Sequence, residues 1–443
     1  MVSVSDETLA LYNNGIDFRD LSDKLRSYIQ SVRDYKIKLK NVSSAMKAIK
    51  ADEASLTGML DVLIKSSDAT KNLNFESKTD SMAEWAAMVD KTDSFELANA
   101  TNIGEQLDTL LNMGRDAMVM APDGTVDRVV CAAIVAQALF KDRFDENELS
   151  FTKIVNGVAY PDDSAIYTEK LKCLLYYLKC VCEQMKLGRS SAVMNEPIRL
   201  VRRAVDADDN PVHMYNYSNR MIVAEDVEIH VDANNNAKPR ANAEPSDRDY
   251  FVLYCNKRLG ATALAAYATS EDVWFMRCPE LYALRYFKRQ SDLTEHSIVL
   301  QNVMQYNVVK EASFNSKRQN GTKAFVNFVA YDAYERHLRH FMDDPQYVDQ
   351  TLKKMLAAVR YAQNSSPAKV TFHANDNGTF MFLLQVLAAQ IAESRITFSV
   401  MNAEIKHDLD LAAAELVEYT IAGLYERLYN YNFNATGQSN LRR

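Results

Sequence analysis

A mixed α/β body preceded by helices is the fold class this sequence predicts, and three observations predict it. From about residue 225 onward, short β-rich runs alternate with helical stretches. From about 83 to 190, apolar residues recur at helical spacing, as in Leu171, Leu174, Leu175 and Leu178. Between 18 and 63 they recur at alternating steps of three and four, the mark of a heptad seam.

The seam comes first in the chain. It runs through Phe18, Leu21, Leu25, Tyr28, Val32, Tyr35, Leu39, Val42, Met46 and Ile49, then Leu56, Leu60 and Leu63. Asp17 is the expected N-cap. Arg33, Lys36, Lys38 and Lys40 crowd the polar face. At 1.5 Å per residue this helix would be roughly 70 Å long. A stripe of two residues in seven cannot bury itself over that length. It either lies back on the body of its own chain or forms a coiled coil, by self-association or with a protein partner.

The expected segmentation is a long helix over 1–66, a polar linker over 67–82, a helical accessory region over 83–222, an α/β body over 223–430 and a polar tail over 431–443. Within the body, strands are expected at 227–231, 250–255, 273–276, 298–303, 325–331, 370–373 and 396–400. Helices are expected at 279–289, 333–342, 349–363, 378–393 and 412–428.

Composition narrows the function classes. The chain has 443 residues, 47% of them apolar, which suffices for a sizeable core. No apolar run approaches the ~20 residues of a membrane-spanning helix. The N-terminal MVSVSDETLALYNNG lacks a basic stretch followed by an apolar one, so no secretory signal is expected. A net charge of −8 argues against broad nucleic-acid binding, which needs a basic surface. The six cysteines show no C-x-x-C spacing and read as buried free thiols, which suits the cytosol or nucleus. His337 and His340 share a helical spacing but have no companion ligands nearby, so neither a metal nor a cofactor is expected.

The segment from Tyr250 to Phe287 holds the chemistry-bearing pattern. A β-rich run ends in Leu253-x-x-Asn256, and Gly260-Ala261-Thr262 follow. After seven more residues come Ser270-Glu271-Asp272, and then Cys278-Pro279-Glu280-Leu281. Without a gap, this series resembles the poly(ADP-ribose) glycohydrolase family. There the same positions hold Asp-x-x-Asn, three glycines, Gln-Glu-Glu and Asn-Pro-Glu-Leu. Val303-x-x-Tyr306, the run from Phe328 to Ala333 and the run from Leu383 to Ala389 extend the likeness, which covers about 85–430.

The resemblance implies a macrodomain-like mixed sheet flanked by helices. It also implies a site in which a carboxylic acid protonates the leaving ribose oxygen and then activates water. Asp272 falls on the catalytic acid and Glu271 on its ribose-orienting neighbour. Asn256, Gly260, Tyr306 and Met401 fall on ligand-holding positions. Departures from the family pattern touch every part of that site. Asp272 is shorter than glutamate by about 1.5 Å of chain, and misplacement of about 1 Å can cost ~100-fold in rate. Ala261 and Thr262 put side chains where glycines let the backbone approach a pyrophosphate. In the second loop of the family pattern one glycine remains, Gly378, beside Asp376. Taken alone, Glu271 and Asp272 also read as a solvated strand start, Asn256 as a turn residue and Tyr306 as a core tyrosine.

The expected function is therefore a degenerate glycohydrolase-like protein used as a structural or protein-interaction component. The alternatives are an ADP-ribose or poly(ADP-ribose) binder without cleavage, and a slow glycohydrolase using Asp272. The family has degenerate members in large DNA viruses of insects, so a place in a virus particle or in infection belongs to the same expectation.

Overall fold

The computed structural model describes residues 106–107, 109–140, 149–151, 153–154, 164–186, 192–204, 217–231, 248–255, 257–265, 269–287, 291–309, 316–318, 325–332, 345–375, 378–400 and 402–431. The heptad segment, the linker, the expected helix at 333–342, His337, His340 and the polar tail after Tyr431 lie outside the described residues.

The chain forms two compact units. One contains the described residues up to Met118, those between 132 and 191, and those at 264–265. It is helical, with α1 (Arg128–Phe140) entering it after its first turn and α2 (Ser164–Lys186) wholly inside it. Two buried polar side chains tie its backbone. Gln137 Nε2 donates to the carbonyls of Leu110 and Met113, both at 2.9 Å, and Lys170 Nζ donates to the Ala265 carbonyl at 2.9 Å. Cys173, Cys180 and Cys182 are buried here, and all six cysteines of the chain are buried thiols.

The other unit is built on an eight-stranded mixed sheet. Its strands are β1 (Thr125–Val126), β2 (Ile198–Ala204), β3 (Val227–Val231), β4 (Asp249–Cys255), β5 (His296–Met304), β8 (Phe325–Asp332), β9 (Thr371–Asn375) and β10 (Arg395–Val400). A separate hairpin pairs β6 (Asn307–Val309) with β7 (Ser316–Arg318). The sheet order is β1-β2-β5-β8-β4-β9-β10-β3. From β8 to β3 all neighbours are parallel, whereas β5, β2 and β1 continue the sheet antiparallel.

Strand β4 lies near the middle and is buried on both faces, as its continuous apolar run requires. Tyr250, Val252 and Tyr254 pack into a core with α5 (Pro345–Asn364), α6 (Thr379–Ile391), α7 (Ala403–Leu416) and α8 (Ile421–Tyr431). Phe251 points the other way, its ring 4.6 Å from that of Trp274 in α3 (Ser270–Arg277), which leads to the short α4 (Glu280–Leu284). Helix α6 is mostly apolar, with Gln385 and Gln390 among its residues, and is buried from Met381 to Ile391.

Four expectations change. The run at 273–276 is not a strand; it lies inside α3. A short apolar run has no decisive period, and here a helix cap just upstream decides the matter. The single helix expected at 412–428 is two helices, α7 and α8, separated around Thr420. Asn402 starts α7 by accepting a hydrogen bond from Ile405 N at 2.8 Å. Strands β1 and β2 fall inside the segment expected to be helical, and the unit that holds the sheet includes Val119–Cys131 and Ala192–Ala263. Among the described residues no helix is long and apolar enough to cross a membrane.

Candidate functional site

In a parallel sheet, loops at the carboxyl ends of the strands are the usual seat of a site. Cys255 ends β4, with Asp332 of β8 as its cross-strand neighbour. On the other side Tyr254 Oη donates to the Asn375 carbonyl of β9 at 3.2 Å. The chain leaving β4 passes Gly260 and Thr262 and reaches Thr269, the N-cap of α3. Thr269 N and Oγ1 donate to Asp272 Oδ2 at 2.6 and 3.0 Å, and Asp272 N donates back to Thr269 Oγ1 at 3.3 Å. This reciprocal arrangement is a capping box, with Asp272 in the place usually held by Glu or Gln. The cap forces helical geometry on the residues that follow it.

Glu271 and Asp272 are buried, at 3% and 0% exposure, so neither begins a solvated strand. Gly260 N donates to Glu271 Oε1 at 2.6 Å. Thr262 Oγ1 lies 3.1 Å from Asp272 Oδ1 and 3.4 Å from Glu271 Oε2. A hydroxyl has one proton to donate and two lone pairs to accept with. It therefore serves both acids best when Glu271 is protonated: Glu271 donates to Thr262, and Thr262 donates to Asp272. The electrostatics agree. Burial pushes the Glu271 carboxyl up to about 7, and the charge of Asp272 adds to the shift. The Cys255 thiol, the Gly260 amide and the Arg285 guanidinium oppose it. Burial and the Glu271 carboxylate in turn push the Cys255 thiol well up, so it stays a thiol.

Gly260 is required where it stands. Its φ is +67°, and a Cβ there would lie 2.4 Å from the Phe275 ring. Arg285 closes the cluster, its Cδ 3.1 Å from the same point. Burial lowers the Arg285 pKa, and among the described residues its Nε and Nη1 have no hydrogen-bond partner.

Tyr306 belongs to a different cluster. Its Oη donates to Glu280 Oε1 at 2.6 Å, and Met304 N donates to Glu280 Oε2 at 2.9 Å. Arg128 Nη1 contacts both Glu280 oxygens at 2.6 Å, both side chains being fully buried, and Arg128 also donates to the Asn302 carbonyl. Glu280 thus ties Arg128, α4 and β5 together through a buried ion pair whose acceptor sites are filled. Sequence reasoning took Glu280 as part of a fold pattern and missed Arg128. An acid following Pro279 inside an otherwise apolar segment was the available signal.

Of the sequence-derived candidates, Gly260, Glu271 and Asp272 come together, Tyr306 is tied to Glu280, and Asn256 and Met401 lie outside the described residues. Across the carboxyl edge, Gly378 (φ +84°) precedes α6, and Gln385 is buried within that helix with neither amide atom partnered among the described residues. Among the described residues no group of three or more His, Cys, Asp or Glu side chains is placed to hold a metal ion. Fold and site define a mixed α/β protein with an internally bonded acid pair at the carboxyl edge of its parallel strands. No family model matches the chain, and no curated protein matches it.

Proposed function

We infer that the chain is a catalytically degenerate relative of the poly(ADP-ribose) glycohydrolases, with a macrodomain-like body that serves as a scaffold for protein contacts. The carrying observation is the internal bonding of the acid pair. An acid that protonates a ribose oxygen must present its proton to the substrate. Asp272 directs Oδ2 at Thr269 and Oδ1 at Thr262, both within its own loop. Thr262 supplies the hydroxyl that a substrate would otherwise bring, and its side chain fills one of the positions at which the family has glycine. Tyr306, tied to Glu280, belongs to the packing of the fold.

The contacts of the scaffold are assigned to the heptad segment 18–63, by self-association or with a protein partner, in the reducing interior of a cell or in a virus particle. Two measurements on the full chain test this reading. Titration calorimetry with millimolar ADP-ribose is expected to give no binding heat; saturable heat would replace the scaffold with an ADP-ribose binder. Light scattering is expected to give a mass above that of one chain, reduced by Leu25→Asp with Val32→Asp. A strictly monomeric chain mixed with no partner, or a mass unmoved by these changes, would count against self-association.

A further inference from the structure

The two edges of the sheet are unlike. One ends in β1, two residues long, and very short edge strands resist further pairing. The other ends in β3, five residues with neither proline nor lysine, bonded on one side to β10. Among the described residues no strand pairs with its outer side. Seven large apolar side chains among the described residues are markedly exposed. One of them, Val231, lies on β3; Met221 and Val223 lie in the segment before it, Met221 bridged to Thr420. An edge of this length, with its outer backbone groups unpaired among the described residues, is a template for a strand whose side chains match Glu228 and His230.

The sequence of β3 says which strand. It reads Val227-Glu228-Ile229-His230-Val231, which keeps its pattern when reversed. Glu228 and His230 share the exposed face, Nε2 and Oε2 lying 3.2 Å apart. In an antiparallel pair, directly opposed residues share a face and interact across the strands. Pairing β3 with itself about Ile229 sets Glu228 against His230 of the second copy, and His230 against its Glu228. Val227 then meets Val231 at both ends. Slipping the register by one residue would move every side chain to the other face and lose this match. A two-fold axis generates this self-complementary contact without any further surface.

We propose that two copies of the chain pair through β3, antiparallel and centred on Ile229, so that one sheet runs through both. The contact is small, so the association is expected to be weak. Sedimentation of the full chain tests it by charge exchange. His230→Glu opposes carboxylates at both crossings and is expected to weaken association about tenfold. Glu228→His together with His230→Glu reverses the pattern and restores association to within about threefold. These side chains are half exposed, so folding is expected to be unaffected, which circular dichroism checks. Ile229→Cys gives an independent readout. It places a thiol opposite its own copy within disulfide range, and the six native cysteines are buried. Mild oxidation is expected to yield a covalent dimer with Ile229→Cys and little with Val227→Cys, whose thiol would face Val231. Equal cross-linking of the two, or single and double exchanges that associate like the wild type, would overturn the pairing. Association held by 18–63 alone gives that second result and so is told apart from it.

Discussion

At neutral pH the Glu271 carboxyl sits near the middle of its titration, because burial pushes it up to about 7 from an ordinary value of 4.5. A carboxyl whose folded value is raised holds its proton longer in the folded state than in the unfolded one. Its contribution to stability is fully present below pH about 4.5 and is lost as pH rises through about 7. The full shift corresponds to about 3 kcal/mol. Urea unfolding is therefore expected to show wild-type stability falling between these values more steeply than that of Glu271→Gln; parallel curves would contradict the assignment. Gly260 makes a second prediction at this scale. Gly260→Ala combines a left-handed backbone with overlap against Phe275, and about 2–4 kcal/mol of destabilisation is expected by urea unfolding. The sequence made Glu271, Asp272 and Gly260 legible through their spacing. It did not reveal their burial, because the donors that permit it, Thr262, Thr269 and the Gly260 amide, are local details of a turn. Cys255, Arg285 and Arg128 were missed because their partners are brought together by the fold and not by spacing.

Helix α3 was misread for a reason that belongs to the element. Val273-Trp274-Phe275-Met276 is apolar and rich in strand formers, and it is too short for its period to decide. Its cap carries the decision, and the capping acid is Asp272 itself. Thr269→Ala removes that cap and is expected to cost about 1 kcal/mol and to raise amide exchange across the first turn of α3. Glu280 acts between elements. Glu280→Gln leaves Arg128 charged and buried without its counter-ion, and a loss of about 3–5 kcal/mol is expected in urea unfolding. Tyr306→Phe removes a single hydrogen bond to that carboxylate and is expected to cost less, about 1.5–3 kcal/mol. A larger effect of Tyr306→Phe than of Glu280→Gln would invert the hierarchy of this cluster. Strand β2 escaped the sequence reading because Val201 and Arg202 reverse the apolar alternation that Ile198, Arg199 and Leu200 begin. The Arg203 guanidinium lies over the Tyr361 ring at 5.2 Å, so a charged residue there covers an apolar surface.

For the molecule as a whole, the alternation of strands and helices after about 225 was legible, and so was the continuous apolar character of the central strand β4. Strand order was not, since it depends on pairings between distant segments such as β4 with β8 and β9. The same order sets the acid pair at the carboxyl edge of the parallel strands, where an active enzyme would hold substrate, and bonds it to its own loop. The most direct measurement is release of ADP-ribose from poly(ADP-ribose) by the full chain at high enzyme concentration near pH 7. No release above background is expected, with Asp272→Ala indistinguishable from the wild type. Release by the wild type that Asp272→Ala abolishes would contradict this.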